Sequence, residues 1–212
     1  FKFYHISRIF MTFFKVLSFY PLNVIILKNC FCEVFYMKNT VVFDLDGTLT
    51  DSAPGIFNAI KYLQNKMNLT PLSEEQLRSC VGPPLNESFM RLWGVNFETA
   101  EEFVKIYREY YLPTGIFENT VYDGINELLK SLKANDIRLL ICSAKPTSMI
   151  NTVLEHFDIL KYFDQISGVA LTGKLPTKGE RLKAMLEDKN AYMVGDRKDD
   201  IIGAREAGIK SI

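Results

Sequence analysis

The sequence predicts an α/β fold: a parallel sheet covered by helices, with a helical segment inserted after the first strand. Three observations predict it. Short apolar, β-branched runs recur from Thr40 onward, which is the pattern of strands buried on both faces. Stretches with apolar residues three and four apart alternate with these runs, and that alternation marks strands joined by crossover helices. The interval 52–128 shows helical spacing throughout and is too long for a plain connection.

In order along the chain, the first strand is expected at 40–44, where Thr40-Val41-Val42-Phe43 runs into Asp44. Within 52–128, Ile56, Ile60, Leu63 and Met67 form one helical stripe, and Phe89, Leu92 and Trp93 belong to a second. Phe103, Ile106, Tyr107 and Tyr110 form a third. Breaks fall at Thr70-Pro71, Gly82-Pro83-Pro84 and Leu112-Pro113-Thr114-Gly115, where glycine and proline interrupt regular structure. Further strands are expected at 138–143, 165–168, 191–195 and 209–212. Helices are expected at 146–157, 178–187 and 199–207, the first carrying Ile150, Val153, Leu154 and Phe157 on one face. The division that follows is a core of 37–51 and 129–212, with 52–128 as a helical cap.

Residues 1–36 differ in kind, holding 8 of the 16 Phe, a single acidic residue (Glu33), and no Ala or Gly. They are expected to be an atypical extension ahead of a start at Met37. A membrane span there is not expected, because Lys15 and Pro21 interrupt the apolar run short of the ~20 residues a span needs. Lys+Arg and Asp+Glu are both 25, so no basic field points to nucleic acid. Four cysteines and two histidines argue against a zinc site and a disulfide scaffold. A reducing, cytoplasmic setting is expected, for a monomer or homodimer.

The chemistry gathers at strand ends. Asp44-Leu45-Asp46-Gly47-Thr48 closes the first strand, and polar groups at the carboxyl end of a buried strand mark a site. A carboxylate can attack phosphorus, which makes Asp44 a candidate nucleophile. Asp46 can protonate a leaving alkoxide and then activate water. A calcium loop fits poorly, with Leu45 in the middle of the Asp44-Leu45-Asp46 run and Thr48-Leu49-Thr50 following rather than further acidic oxygen ligands. A second strand ends in Cys142-Ser143-Ala144-Lys145-Pro146, where the Ser143 hydroxyl and a helix N-terminus can receive a phosphate. Cys142 reads as a small core residue. Lys178 opens a helix, with Lys174 its nearest rival, and Gly195-Asp196-Arg197-Lys198-Asp199-Asp200 follows the fourth strand.

These four stretches, in this order, resemble the motifs of the haloacid dehalogenase-type (HAD) superfamily. Val81-Gly82-Pro83-Pro84-Leu85 is similar to a cap segment of its phosphoglycolate phosphatase-like and 5'-nucleotidase-like members. The resemblance covers residues 41–212 and implies a Rossmann-like core with a helical cap. It departs from the family at Ser143-Ala144, where many relatives carry Thr-Ser. Members usually run on beyond this chain's last residue, so a piece of a longer chain is expected.

What the resemblance implies is a phosphatase acting on a small phosphorylated metabolite. Asp44 would be the nucleophile and Asp46 the acid/base. Ser143, Lys178 and Thr48 would bind phosphate. Asp44, Asp196, Asp200 and the Asp46 carbonyl would surround Mg²⁺, with Asp199 a solvated neighbour. Like charges ~4 Å apart repel by on the order of 4 kcal/mol at an effective dielectric near 20, so such a cluster needs a cation. Arg91 is expected to be a surface charge. A phosphosugar mutase, passing the phosphoryl group to a second hydroxyl, is the first alternative; a non-catalytic interaction protein is the second.

Overall fold

The structure, a computed structural model, describes residues 40–170 and 176–212. The expectations for 1–36, and Lys174 with its loop, lie outside the described residues. Five parallel strands form the sheet: β1 (Thr40–Phe43), β4 (Arg138–Pro146), β5 (Gln165–Val169), β6 (Ala191–Val194) and β7 (Lys210–Ser211), in the order β5-β4-β1-β6-β7. Strand β1 is central because its four residues are all buried. Val41 pairs with Leu139 on one side and with Tyr192 on the other.

Alternation along the strands divides the core in two. Val41 and Phe43 face one apolar cluster, which continues into the helices between β1 and β4. Val42, Leu140, Cys142 and Met193 face the other. That second face is covered by α7 (Lys178–Met185) and α8 (Lys198–Ala207) through Leu182, Met185, Ala204 and Ala207. The first face is covered by α5 (Ile125–Ala134) and α6 (Thr147–His156), through Leu129, Ile150 and Leu154.

Four helices follow β1: α1 (Ala53–Met67), α2 (Glu74–Arg78), α3 (Leu85–Trp93) and α4 (Phe97–Tyr111). Ser73 and Gln76 form a capping box on α2, and the Asn96 side chain caps α4. The interval 52–128 is nevertheless not wholly helical. Strand β2 (Thr50–Asp51) pairs antiparallel with β3 (Thr120–Val121), and α5 crosses the boundary set at 128. Two-residue strands carry no periodicity, so sequence spacing could not show them. The stripe on α4 is also rotated from its expected position: Phe103, Val104, Tyr107 and Tyr111 are buried, whereas Ile106 and Tyr110 only pack against the core. Met67, placed in the first stripe, is 40% exposed. No helix of the described residues is long and apolar enough to cross a membrane.

Candidate active site

The chain leaves β1 in one direction for β4 and β5 and returns on the other side for β6 and β7. The carboxyl ends of β1, β4 and β6 therefore border one crevice at the switch in direction. Asp44 follows β1 directly, and its N–H donates to the Val194 carbonyl at 2.9 Å, which extends the pairing with β6 by one residue. The chain then turns sharply. The Leu45 carbonyl accepts from the N–H groups of Thr48, Leu49 and Thr50, with Gly47 at φ 88°. This turn, rather than an extended strand, brings Asp46 back over the crevice, with Leu45 and Leu49 anchoring it in the core.

Asp44, Asp196 and Asp200 offer carboxylate oxygens that all lie within 4.8 Å of one another. Lys178 Nζ stands 3.4 Å from Asp44 Oδ1 and makes a short ion pair with Asp200 Oδ1. Asp44 is 3% exposed, and its Oδ1 has no hydrogen bond. The contact with Lys178 is thus electrostatic and too long to satisfy the oxygen. Burial pushes the Asp196 carboxyl up, and Asp44 pushes it further. Burial and Asp44 likewise raise Asp200, to about 6, against the pull of Lys178. Burial lowers Lys178, but Asp44 and Asp200 more than reverse this. Three buried or half-buried acids with one lysine form an oxygen donor set of the kind a hard divalent cation takes, and the orphaned Asp44 Oδ1 is a free ligand atom within it.

Two predicted residues are occupied otherwise than expected. The Thr48 hydroxyl donates to Asp196 Oδ1 at 3.1 Å. The Asp46 carboxylate is turned away from the other three and grips Lys145, whose Nζ lies 3.0 Å from both of its oxygens. The same Nζ donates to the Tyr111 hydroxyl at 2.7 Å. Burial pulls Lys145 down, but Asp46 and Tyr111 outweigh it and hold the ammonium above its ordinary value. Ser143 is buried at the crevice within β4, and its Oγ accepts from the Lys145 N–H at 3.4 Å. Its carbonyl accepts from Arg181 Nη1 at 2.7 Å, which fixes α7 against β4. Asp199 is exposed, and Arg91 lies on the surface with Nη2 donating to Ser79 Oγ.

Sequence reasoning assigned no role to Lys145, Tyr111 or Arg181. The only signal was the position of Lys145, two residues beyond Ser143. Arg197 is a further contact, its Nη1 donating to the Val81 carbonyl through a short bond. Beneath α4 lies a cavity of about 140 Å³ whose lining includes Asp46, Lys145, Val104, Arg108 and Tyr111.

Comparison with known proteins agrees with this geometry. A 5'-nucleotidase of Pseudomonas aeruginosa is 33% identical over 177 residues, 81% of this chain and 80% of that protein. The tyrosine-protein kinase PtkA of Mycobacterium tuberculosis is 36% identical over 178 residues; the match takes in 81% of this chain but only 60% of PtkA. The crystal structure of a predicted phosphatase from Clostridium acetobutylicum superposes with a TM-score of 0.77 at 43% identity, covering 82% of this chain and 83% of that one. The family model for haloacid dehalogenase-like hydrolases matches residues 41–212. With its strand-end carboxylates in one crevice and this match over most of its length, the chain belongs to the haloacid dehalogenase-like hydrolase family.

Proposed function

We propose that this protein is a Mg²⁺-dependent phosphomonoester hydrolase that works through an aspartyl-phosphate on Asp44, with a small phosphorylated metabolite as substrate. The observation that carries the reading is the buried Asp44 Oδ1, without a hydrogen bond, facing Lys178 and the carboxylates of Asp196 and Asp200. Asp44, Asp196, Asp200 and the Asp46 carbonyl would hold the metal, which when bound supplies charge neutralisation for the phosphoryl oxygens.

The chain's own groups do the rest. Asp44 attacks phosphorus, and the ester oxygen departs with a proton from Asp46. Lys178 and the Ser143 hydroxyl hold the phosphoryl oxygens as charge shifts among them. Asp46 then takes a proton from water, which attacks the aspartyl-phosphate and releases inorganic phosphate. The ion pair with Lys145 holds the Asp46 carboxylate in place at the crevice. Helices α1 to α4 act as a cap, since Tyr111 and Val81 from that segment meet Lys145 and Arg197 at the strand ends.

The test is a panel of phosphomonoesters assayed with and without Mg²⁺. Phosphate release should require Mg²⁺, need no sugar bisphosphate, and vanish in Asp44→Asn. Equal activity in that variant would refute the mechanism, and transfer only to a second sugar would favour a mutase.

A further inference from the structure

We infer that Tyr111 and Lys145 are positioning residues for proton transfer by Asp46, so that the helical cap, through Tyr111, governs protonation of the leaving oxygen. The inference rests on the phosphatase reading and adds a regulation of the same site. A lysine ammonium carries three N–H donors. Lys145 uses two on the Asp46 oxygens, each at 3.0 Å, and the third on the Tyr111 hydroxyl at 2.7 Å. None is left for a substrate, and all three residues are buried. Each carboxylate oxygen, by contrast, has two lone pairs and gives one to the lysine, which leaves a free position on either oxygen for an alcohol or a water. Asp46, Lys145 and Tyr111 all line the cavity beneath α4. The lysine therefore fixes the plane of the acid without competing for the ester.

Lys145 is aimed by an irregularity in β4. Cys142 pairs with Ser167 and Pro146 with Val169, so β4 advances four residues while β5 advances two. A bulge of this kind re-aims side chains beside a site, and here it brings Lys145 to Asp46 and Tyr111. Room for it comes from Gly168 on β5, where a methyl group would stand 2.4 Å from the Lys145 carbonyl oxygen. Tyr111 is set by the cap. Its ring stacks on Tyr107 with centroids 5.1 Å apart, and Tyr107 meets Phe89 edge-on at 6.3 Å. The position of α4 is thereby passed through one hydroxyl and one ammonium to the Asp46 carboxylate. As the P–O bond breaks, the departing oxygen keeps the bonding electrons and takes the Asp46 proton, while phosphorus bonds to Asp44. That transfer needs an Asp46 oxygen within hydrogen-bond reach of the ester. With α4 displaced, Lys145 loses one of its three partners and its hold on Asp46 loosens.

Leaving groups of different acidity test this, because an activated phenol departs with little help whereas an alcohol needs the proton. With Mg²⁺ present, kcat/KM is measured on 4-nitrophenyl phosphate and on benzyl phosphate, both built on one benzene ring. Asp46→Asn should lower the benzyl-to-nitrophenyl ratio by roughly a hundredfold or more, the low end of what a positioned acid contributes. Tyr111→Phe keeps the stacked ring and should lower the same ratio by roughly threefold to tenfold, the effect of one hydrogen bond. Lys145→Gln should lower it further. Added to Asp46→Asn, neither change should move the ratio again, since both act through that carboxylate. A role confined to stability would lower both rates alike. An unchanged ratio in Tyr111→Phe would thus overturn the inference and leave the phosphatase reading standing. A higher ratio in either variant would overturn it too, by showing that the ammonium restrains Asp46 rather than aiming it. If the parent protein hydrolyses neither these esters nor any other phosphomonoester, the phosphatase reading falls and the inference with it.

Discussion

Gly195 precedes Asp196 at the end of β6, and a methyl group there would lie 2.2 Å from Asp200 Cγ. Gly195→Ala must therefore push Asp200 off Lys178. A loss of about 1–3 kcal/mol in urea unfolding is expected from the overpacking, together with weaker hydrolysis. Lys145→Met strips a buried carboxylate of its cation and should cost roughly 3 kcal/mol, whereas the double change with Asp46→Asn should recover much of that. Unfolding curves of the three variants check it. Asp44 and Asp196 were legible in the sequence because each stands just past an apolar run that forms a buried strand, and Asp46 and Ser143 because they are polar residues close to such a run, although β4 continues past Ser143 to Pro146. Lys145 was not legible, since a lysine before a proline reads as solvated. Only the fold brings Tyr111, 34 residues away in sequence, to within reach of its ammonium.

Among the elements, α7 matters most to the site, because Lys178 is its first residue and Thr177 caps it in a box with Glu180. Thr177→Ala should lower stability by about 1 kcal/mol and raise KM by loosening Lys178, measured by thermal melts and by kinetics. The entry to β4 is held by Asp164, whose Oδ2 accepts from the Leu139 N–H at 2.8 Å while Lys133 pairs with it. Burial raises this carboxyl, but Lys133 and the Leu139 N–H outweigh it and hold it below 3.8. A depressed acid stabilises the fold above its ordinary value and ceases to as pH falls through the lowered one. Asp164→Asn should thus cost roughly 1 kcal/mol at pH 7, a modest figure because the pair is partly exposed, and nothing once the parent's Asp164 is protonated. Urea titrations across pH measure this. Buried parallel strands such as β1 and β6 were plain from composition, but β2 and β3 were not. The face of α4 that enters the core was misread because Tyr110 and Tyr111 are alike in kind, and packing alone chooses between them.

For the molecule as a whole, three carboxylates against one lysine leave the crevice short of positive charge. Mg²⁺ at about a hundred times its Kd should therefore raise stability by ~2.7 kcal/mol. A chelator should reverse the shift in melting temperature, and Asp196→Asn should abolish it. The parallel sheet and the helical segment between β1 and β4 followed from the alternation of elements, whereas the strand order and the points where that segment meets the sheet did not. Those points are Tyr111 on Lys145, beside β4, and Val81 on Arg197, beside β6. An outward swing of the helices would sever both at once. Departure of the alcohol would then coincide with Lys145 losing its Tyr111 partner and with solvent reaching Asp44, so exit and rehydration would share a single kinetic gate.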